Sequence, residues 1–136
     1  MVKNNEKSTP AVKAAIVDIQ WILNNLPSFS AVQAEQQQNL AALQNWAQNV
    51  NAQIAQQTVA EEKQKMILQG QNEFAQRQQA VQQNYAQKIQ AIDDEVTKMI
   101  ADTAKELGYD MVFAKTTLVY GGTDITAQVA AKIKRA

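Results

Sequence analysis

The chain has 136 residues, 46 % of them hydrophobic but only 6 % aromatic, and much of the apolar share is alanine. That is a thin supply of large side chains for one compact globule, so an extended architecture is expected. Lys+Arg is 13 and Asp+Glu is 13, and both His and Cys are absent. Zero net charge leaves no electrostatic footprint for nucleic acid and no basic run for a membrane surface. The lack of His and Cys removes disulfides, the usual zinc, copper and iron sites, and Ser-His or Cys-His nucleophilic machinery.

Other catalytic signals are equally weak. Gly121-Gly122 follows a strand pattern without phosphate-loop or dinucleotide spacing. The carboxylate pairs Glu61-Glu62 and Asp93-Asp94 are helix neighbours that point in different directions, as on a solvated face. The chain therefore reads as a non-enzyme with no cofactor and no metal.

Residues 1–13 are polar and are expected to form a disordered leader without the apolar core of a signal peptide. A signal would then have been cleaved or omitted, or the protein is cytosolic. No apolar run approaches the ~20 residues needed to span a bilayer. Residues 14–29 begin with AAIVDI (Ala14–Ile19), a short run that suits a buried strand. QWILNNL (Gln20–Leu26) then makes one or two helical turns, which Pro27 stops.

Residues 30–107 contain no proline and one glycine, and are dominated by Gln, Ala and Asn. Leu40, Leu43, Ala47, Val50 and Ile54 recur at steps of three and four, the spacing of a heptad seam. Met66, Gly70, Phe74, Arg77 and Val81 repeat it. Tyr85, Ile89, Ile92, Val96, Met99, Thr103 and Leu107 carry the stripe onward. The period is helical and too long for a single globular helix.

Two capping boxes, Ser30-x-x-Gln33 and Thr58-x-x-Glu61, place a helix start at each end of an antiparallel hairpin with its turn near 56–59. A turn at Gln57 sets Val50 against Met66, Ala47 against Gly70 and Leu43 against Phe74, while Leu40 covers the stem of Arg77. Large faces large, and the glycine meets an alanine. In that register Gly70→Leu would disturb the Ala47 layer. One continuous rod is the alternative.

Leu107-Gly108-Tyr109 carries the signature of a left-handed helix end. Within residues 108–136, MVFA (Met111–Ala114) and TLVY (Thr117–Tyr120) read as strands joined by Lys115-Thr116. Gly121-Gly122 ends the second. Thr123 or Asp124 caps a last helix with the stripe Ile125, Val129 and Ile133. Three strands and a short helix make a poor core alone, so oligomerisation is expected to complete this base.

The segments AIVDIQ (Ala15–Gln20), KELGYDMVFAKTTLVYGG (Lys105–Gly122) and DITAQVAAKIK (Asp124–Lys134) resemble the Skp/OmpH family of periplasmic chaperones. The resemblance implies a mainly α fold with a small β base: a long antiparallel coiled-coil hairpin projecting from a trimeric β-stranded body. It also implies an ATP-independent holdase that keeps unfolded outer-membrane β-barrel proteins soluble in a cavity between its arms. The implied location is the periplasm, without stable membrane insertion. Along Ala80–Val96 the chain carries Gln and Asn where arms of this family are basic, so no lipopolysaccharide site is transferred.

Within that frame, Trp46, Ile67 and Leu68 lie outside the seam and are the candidate client contacts. Their alternative role is packing on the flank of the seam or on a neighbouring arm. Other functions to weigh are a structural coiled-coil scaffold without client activity, and an adhesin-like or prefoldin-like binding module.

Overall fold

The structure, a computed structural model, describes residues 12–134. The expected leader lies outside the described residues up to residue 11. The chain is mainly helical with a small parallel sheet. Its described residues divide into two compact units, one comprising Ser28–Ala91 and the other the chain before and after it.

The base unit starts with strand β1 (Ala14–Val17), whose Ala15 and Val17 are buried on one face. Asp18 ends the strand and caps helix α1 (Ile19–Asn24), its carboxylate accepting the amide of Trp21 at 3.1 Å. That bond satisfies one of the orphan donors of the first turn. Strands β2 (Met111–Ala114) and β3 (Thr123–Asp124) both run parallel to β1, in the order β2-β1-β3. Parallel neighbours require a long crossover. Here all the helical sequence between Asp18 and Gly108 supplies it. Lys13, at the end of the expected leader, is anchored: its amide donates to the Asp110 carboxylate and its carbonyl accepts the Asp110 amide, both at 2.8 Å.

The strand expected at Thr117–Tyr120 is not formed. Lys115–Thr117 makes a 3-10 turn, closed by the Thr117 hydroxyl on the Ala114 carbonyl at 2.7 Å. The free side of β1 is instead taken by Thr123–Asp124. Helix α4 (Thr126–Ala130) follows, and its neighbours Ile125 and Ile133 are buried with Val129, as the stripe of fours requires. The core is completed by Ile22 and Leu26 and by Ile92, Val96, Met99 and Ala104 on a long helix that ends here. That end has the expected form. Gly108 sits at φ 79° and the Tyr109 amide reaches the Ala104 carbonyl at 2.8 Å, the bond pattern of a Schellman motif.

Asp124 ties four of these segments together. Its carboxylate accepts both the amide and the hydroxyl of Thr126 and faces the Lys115 ammonium at 3.6 Å. The Thr126 oxygen in turn accepts the Asp18 amide at 2.9 Å. The Thr126 hydroxyl and amide, helped by Lys115, hold the Asp124 carboxyl below the usual carboxylate range. A depressed folded-state pKa contributes stability that is present above the unfolded value and lost as pH falls through the folded one. The melting temperature should therefore drop on acidification below the ordinary aspartate pKa, and Asp124→Asn should flatten that part of the profile. Parallel profiles for the two proteins would contradict this.

The second unit consists of helix α2 (Pro27–Gln56) and the first part of helix α3 (Ala60–Leu107). Gln, Ala and Leu are good helix formers and β-branched runs are absent, so long helices form readily. Two start signals are corrected. α2 begins at Pro27, whose fixed φ and missing N–H suit a first helical position, which puts Ser30 inside the helix. α3 begins at Ala60, with the Val59 carbonyl accepting the Lys63 amide at 2.9 Å and the Gln57 carboxamide accepting the Val59 amide at 3.1 Å. Thr58 is thus one residue too early to be its cap.

The pairing of the two helices also differs from the expected register. Gln33 bonds Tyr85 at 3.1 Å, Glu35 reaches Asn84 and Lys88 at 3.3 Å, Trp46 stacks on Phe74, and Gln57 reaches Met66. Gly70 faces Val50 and Ile54 where Ala47 was expected. Arg77 lies over the Trp46 ring, 4.6 Å from its centroid, and not beneath Leu40, which is 50 % exposed. Leu43 is buried; Ala47, Val50, Ile54, Met66, Gly70, Phe74 and Val81 are half-buried.

A Cβ at position 70 would lie 3.3 Å from Val50 Cγ1 and 3.8 Å from Ile54 Cδ1. Both are side-chain atoms, and only the first contact is tight. Glycine in a helix interior costs roughly 0.5–1 kcal/mol relative to alanine. Gly70→Ala should therefore raise the melting temperature followed by circular dichroism. A drop would mean that Val50 is locked in place.

Candidate functional site

Among the described residues no group of His, Cys, Asp or Glu could hold a metal ion, and no helix is long and apolar enough to cross a membrane.

A slot of about 430 Å³ lies between α2 and α3. Val50, Asn51 and Ile54 line it from α2, and Ile67, Gly70, Gln71 and Phe74 from α3. The 3.6-residue period places these residues on the facing sides of the two helices. Glycine leaves α3 without a side chain where the slot opens. Trp46 also lines it, stacked on Phe74 with centroids 6.5 Å apart and ring planes 25° apart, an offset geometry favourable to aromatic pairs.

Charge around the slot is internally matched. In Ser28–Ala91, Glu35, Glu61, Glu62 and Glu73 balance Lys63, Lys65, Arg77 and Lys88. Arg77 pairs with Glu73 at 2.8 Å, Lys65 with Glu62 at 3.6 Å and Lys88 with Glu35 at 3.3 Å. Such exposed pairs add little stability, and the unit carries no net charge.

The three candidate contacts separate. Trp46 and Ile67 meet in the slot, both half-buried. Leu68 is 53 % exposed and is not among the slot residues. Packing and accessibility are not exclusive here, since each slot residue touches its neighbours on one side and open space on the other. Sequence reasoning did not find Asn51 and Gln71, because nothing distinguishes them from the other amides of the arm until the register is known.

The base carries a second unpartnered surface. Val119 and Tyr120 are fully solvent-exposed, and Met111 and Phe113 on edge strand β2 are more than one-third exposed. Leu118 before them is extended, at φ −108° and ψ 133°. Among the described residues this apolar segment pairs with no strand.

A family model described as Outer membrane protein (OmpH-like) matches residues 13–133. No curated protein matches the chain.

Proposed function

Because the chain belongs to the OmpH-like family, whose members are periplasmic chaperones and not enzymes, we propose that it is an ATP-independent holdase. Its clients are unfolded outer-membrane β-barrel proteins. Its place of work is the periplasm. Helices α2 and α3 form an antiparallel hairpin arm, and three copies assemble through their bases so that the arms bound a cavity. Trp46, Ile67 and Leu68 are the client contacts.

The observation that carries this proposal is the unit Ser28–Ala91: a helical pair that keeps apolar side chains reachable, surrounds them with amides and balances its own charge. Gln and Asn side chains both donate and accept hydrogen bonds, so they can satisfy the exposed backbone of a client in many registers. Weak, repeated contacts of this kind hold a chain without selecting a sequence.

The base supports the assembly. Among the described residues the three-stranded sheet has two unpaired edges and, with the exposed Val119 and Tyr120, too little cover for its apolar residues. Further copies of the chain would supply that cover.

Light scattering tests the function. An unfolded β-barrel protein diluted from denaturant should aggregate less in the presence of the chain without nucleotide. Unchanged scattering at several-fold molar excess would favour the rival, a structural coiled coil with no client activity. Since the arm has no net charge, client affinity should change less than about threefold between low and moderate salt. A steep loss would show that charge steers capture.

A further inference from the structure

We propose that the slot beside Gly70 is a receptor for single apolar side chains of an uncharged, extended polypeptide segment, of the kind an unfolded transmembrane β-strand presents. The proposal rests on the chaperone function above and assigns it a recognition element within one arm.

The slot exists because of one residue. Gly70 is the only glycine of α3, at a place where any side chain would start 3.3 Å from Val50 Cγ1 and 3.8 Å from Ile54 Cδ1, both on residues that line the slot. Glycine is the residue that least favours a helix interior after proline, and here it leaves room beside Val50 and Ile54 in the seam. Apolar cavities of about 150 Å³ accept a benzene ring. A slot of about 430 Å³ therefore has room for an aromatic or branched aliphatic side chain together with the backbone that carries it.

Charge identifies the occupant. No charged residue lines the slot. Arg77, one turn from Phe74 along α3, is committed to the Glu73 carboxylate and the Trp46 ring. An acidic or basic side chain entering the slot would lose water without gaining a partner. An apolar one would lose nothing. Asn51 and Gln71, the two carboxamides in the lining, can each donate to and accept from a peptide group.

Extended geometry completes the match. Successive side chains of an extended chain point to opposite sides, and strands of outer-membrane barrels alternate apolar with polar residues. One apolar side chain in the slot leaves both polar neighbours facing water and brings its own peptide groups to residues that include Asn51 and Gln71. Helical or acidic segments do not satisfy all three conditions.

The test uses the full chain and a fluorescein-labelled, uncharged peptide of about ten residues that alternates Leu or Val with Thr, followed by anisotropy. Gly70→Leu, which fills the slot, should weaken binding by about tenfold. Leu40→Ser, on a half-exposed site away from the slot, should leave it within about twofold. With the unaltered protein, a peptide whose apolar residues are replaced by Ser should not bind, which keeps the test valid if Gly70→Leu fails to fold.

Equal binding of the two peptides, no saturable binding, or an unchanged Kd for a folded Gly70→Leu protein would overturn the proposal. So would a change in assembly mass for Gly70→Leu with peptide affinity intact, which would make the slot a contact between copies. If the unaltered chain still suppresses client aggregation in any of these cases, only the slot assignment falls. If it does not suppress aggregation at all, the holdase function falls.

Discussion

Gly122→Val is expected to lower the stability of the base unit by about 2–5 kcal/mol, from a backbone term of about 1–2 and a crowding term of about 1–3. Gly122 has φ +84°, in the left-handed region that β-branched residues avoid. A Cβ there would also sit 2.9 Å from Ile16 Cγ2, 3.6 Å from Leu118 Cδ1 and 3.8 Å from the Ala15 carbonyl carbon. Ile16 is at the centre of the sheet, paired on both sides, so it has little freedom to retreat. Gly121→Val supplies the control. Its φ is +94° and nothing lies within 4 Å of the added carbon, so only the backbone term applies. Urea unfolding of the two variants should separate them clearly. Equal losses would mean that close approach of residue 122 to β1 contributes nothing.

Val119→Asp is expected to abolish assembly while leaving the individual chain intact. In its own chain Val119 touches solvent on all sides, and substitutions at such positions shift stability by less than about 0.5 kcal/mol. In the proposed trimer the same side chain lies in the contact between bases. There an unpaired carboxylate would be buried, a change that costs several kcal/mol in interfaces. Analytical ultracentrifugation should find the unaltered chain as one larger species and the variant as a single chain with an unchanged far-ultraviolet spectrum. A variant that assembles as before would remove Val119 from the interface.

Much of the fold is legible in the sequence wherever a local rule acts alone. Pro27 bounds the first short helix and Gly108 ends the long one, because each imposes backbone geometry whatever surrounds it. The stripe Ile125, Val129, Ile133 is buried as its spacing predicts. The TLVY segment shows the limit. Its composition favours a strand, but a strand needs a neighbour, and within this chain β1 pairs instead with Thr123–Asp124. Asp124 has poor strand propensity, and the pair is placed by the Gly121-Gly122 turn and by the bonds of Asp124 to Thr126. No period-two pattern announces them.

The helical register illustrates a different limit. Leu43, Val50, Ile54, Met66 and Phe74 are visible as a seam, yet which residue meets which depends on where the second helix starts. The Thr58 box suggested a start one residue early. Seated on Ala60, Gly70 meets Val50 and Ile54, and Trp46 joins Phe74. The slot is a product of that pairing. Trp46 and Ile67 could be picked out as apolar residues beside the seam, but their convergence on one opening could not.

Native mass spectrometry of the chain mixed with an unfolded outer-membrane β-barrel protein tests the central claim most directly. The expected spectrum holds a trimer, free and with one client bound, and no complex between client and a single chain. A stable single chain at micromolar concentration, with or without client, would contradict the trimeric cage and the mechanism that depends on it.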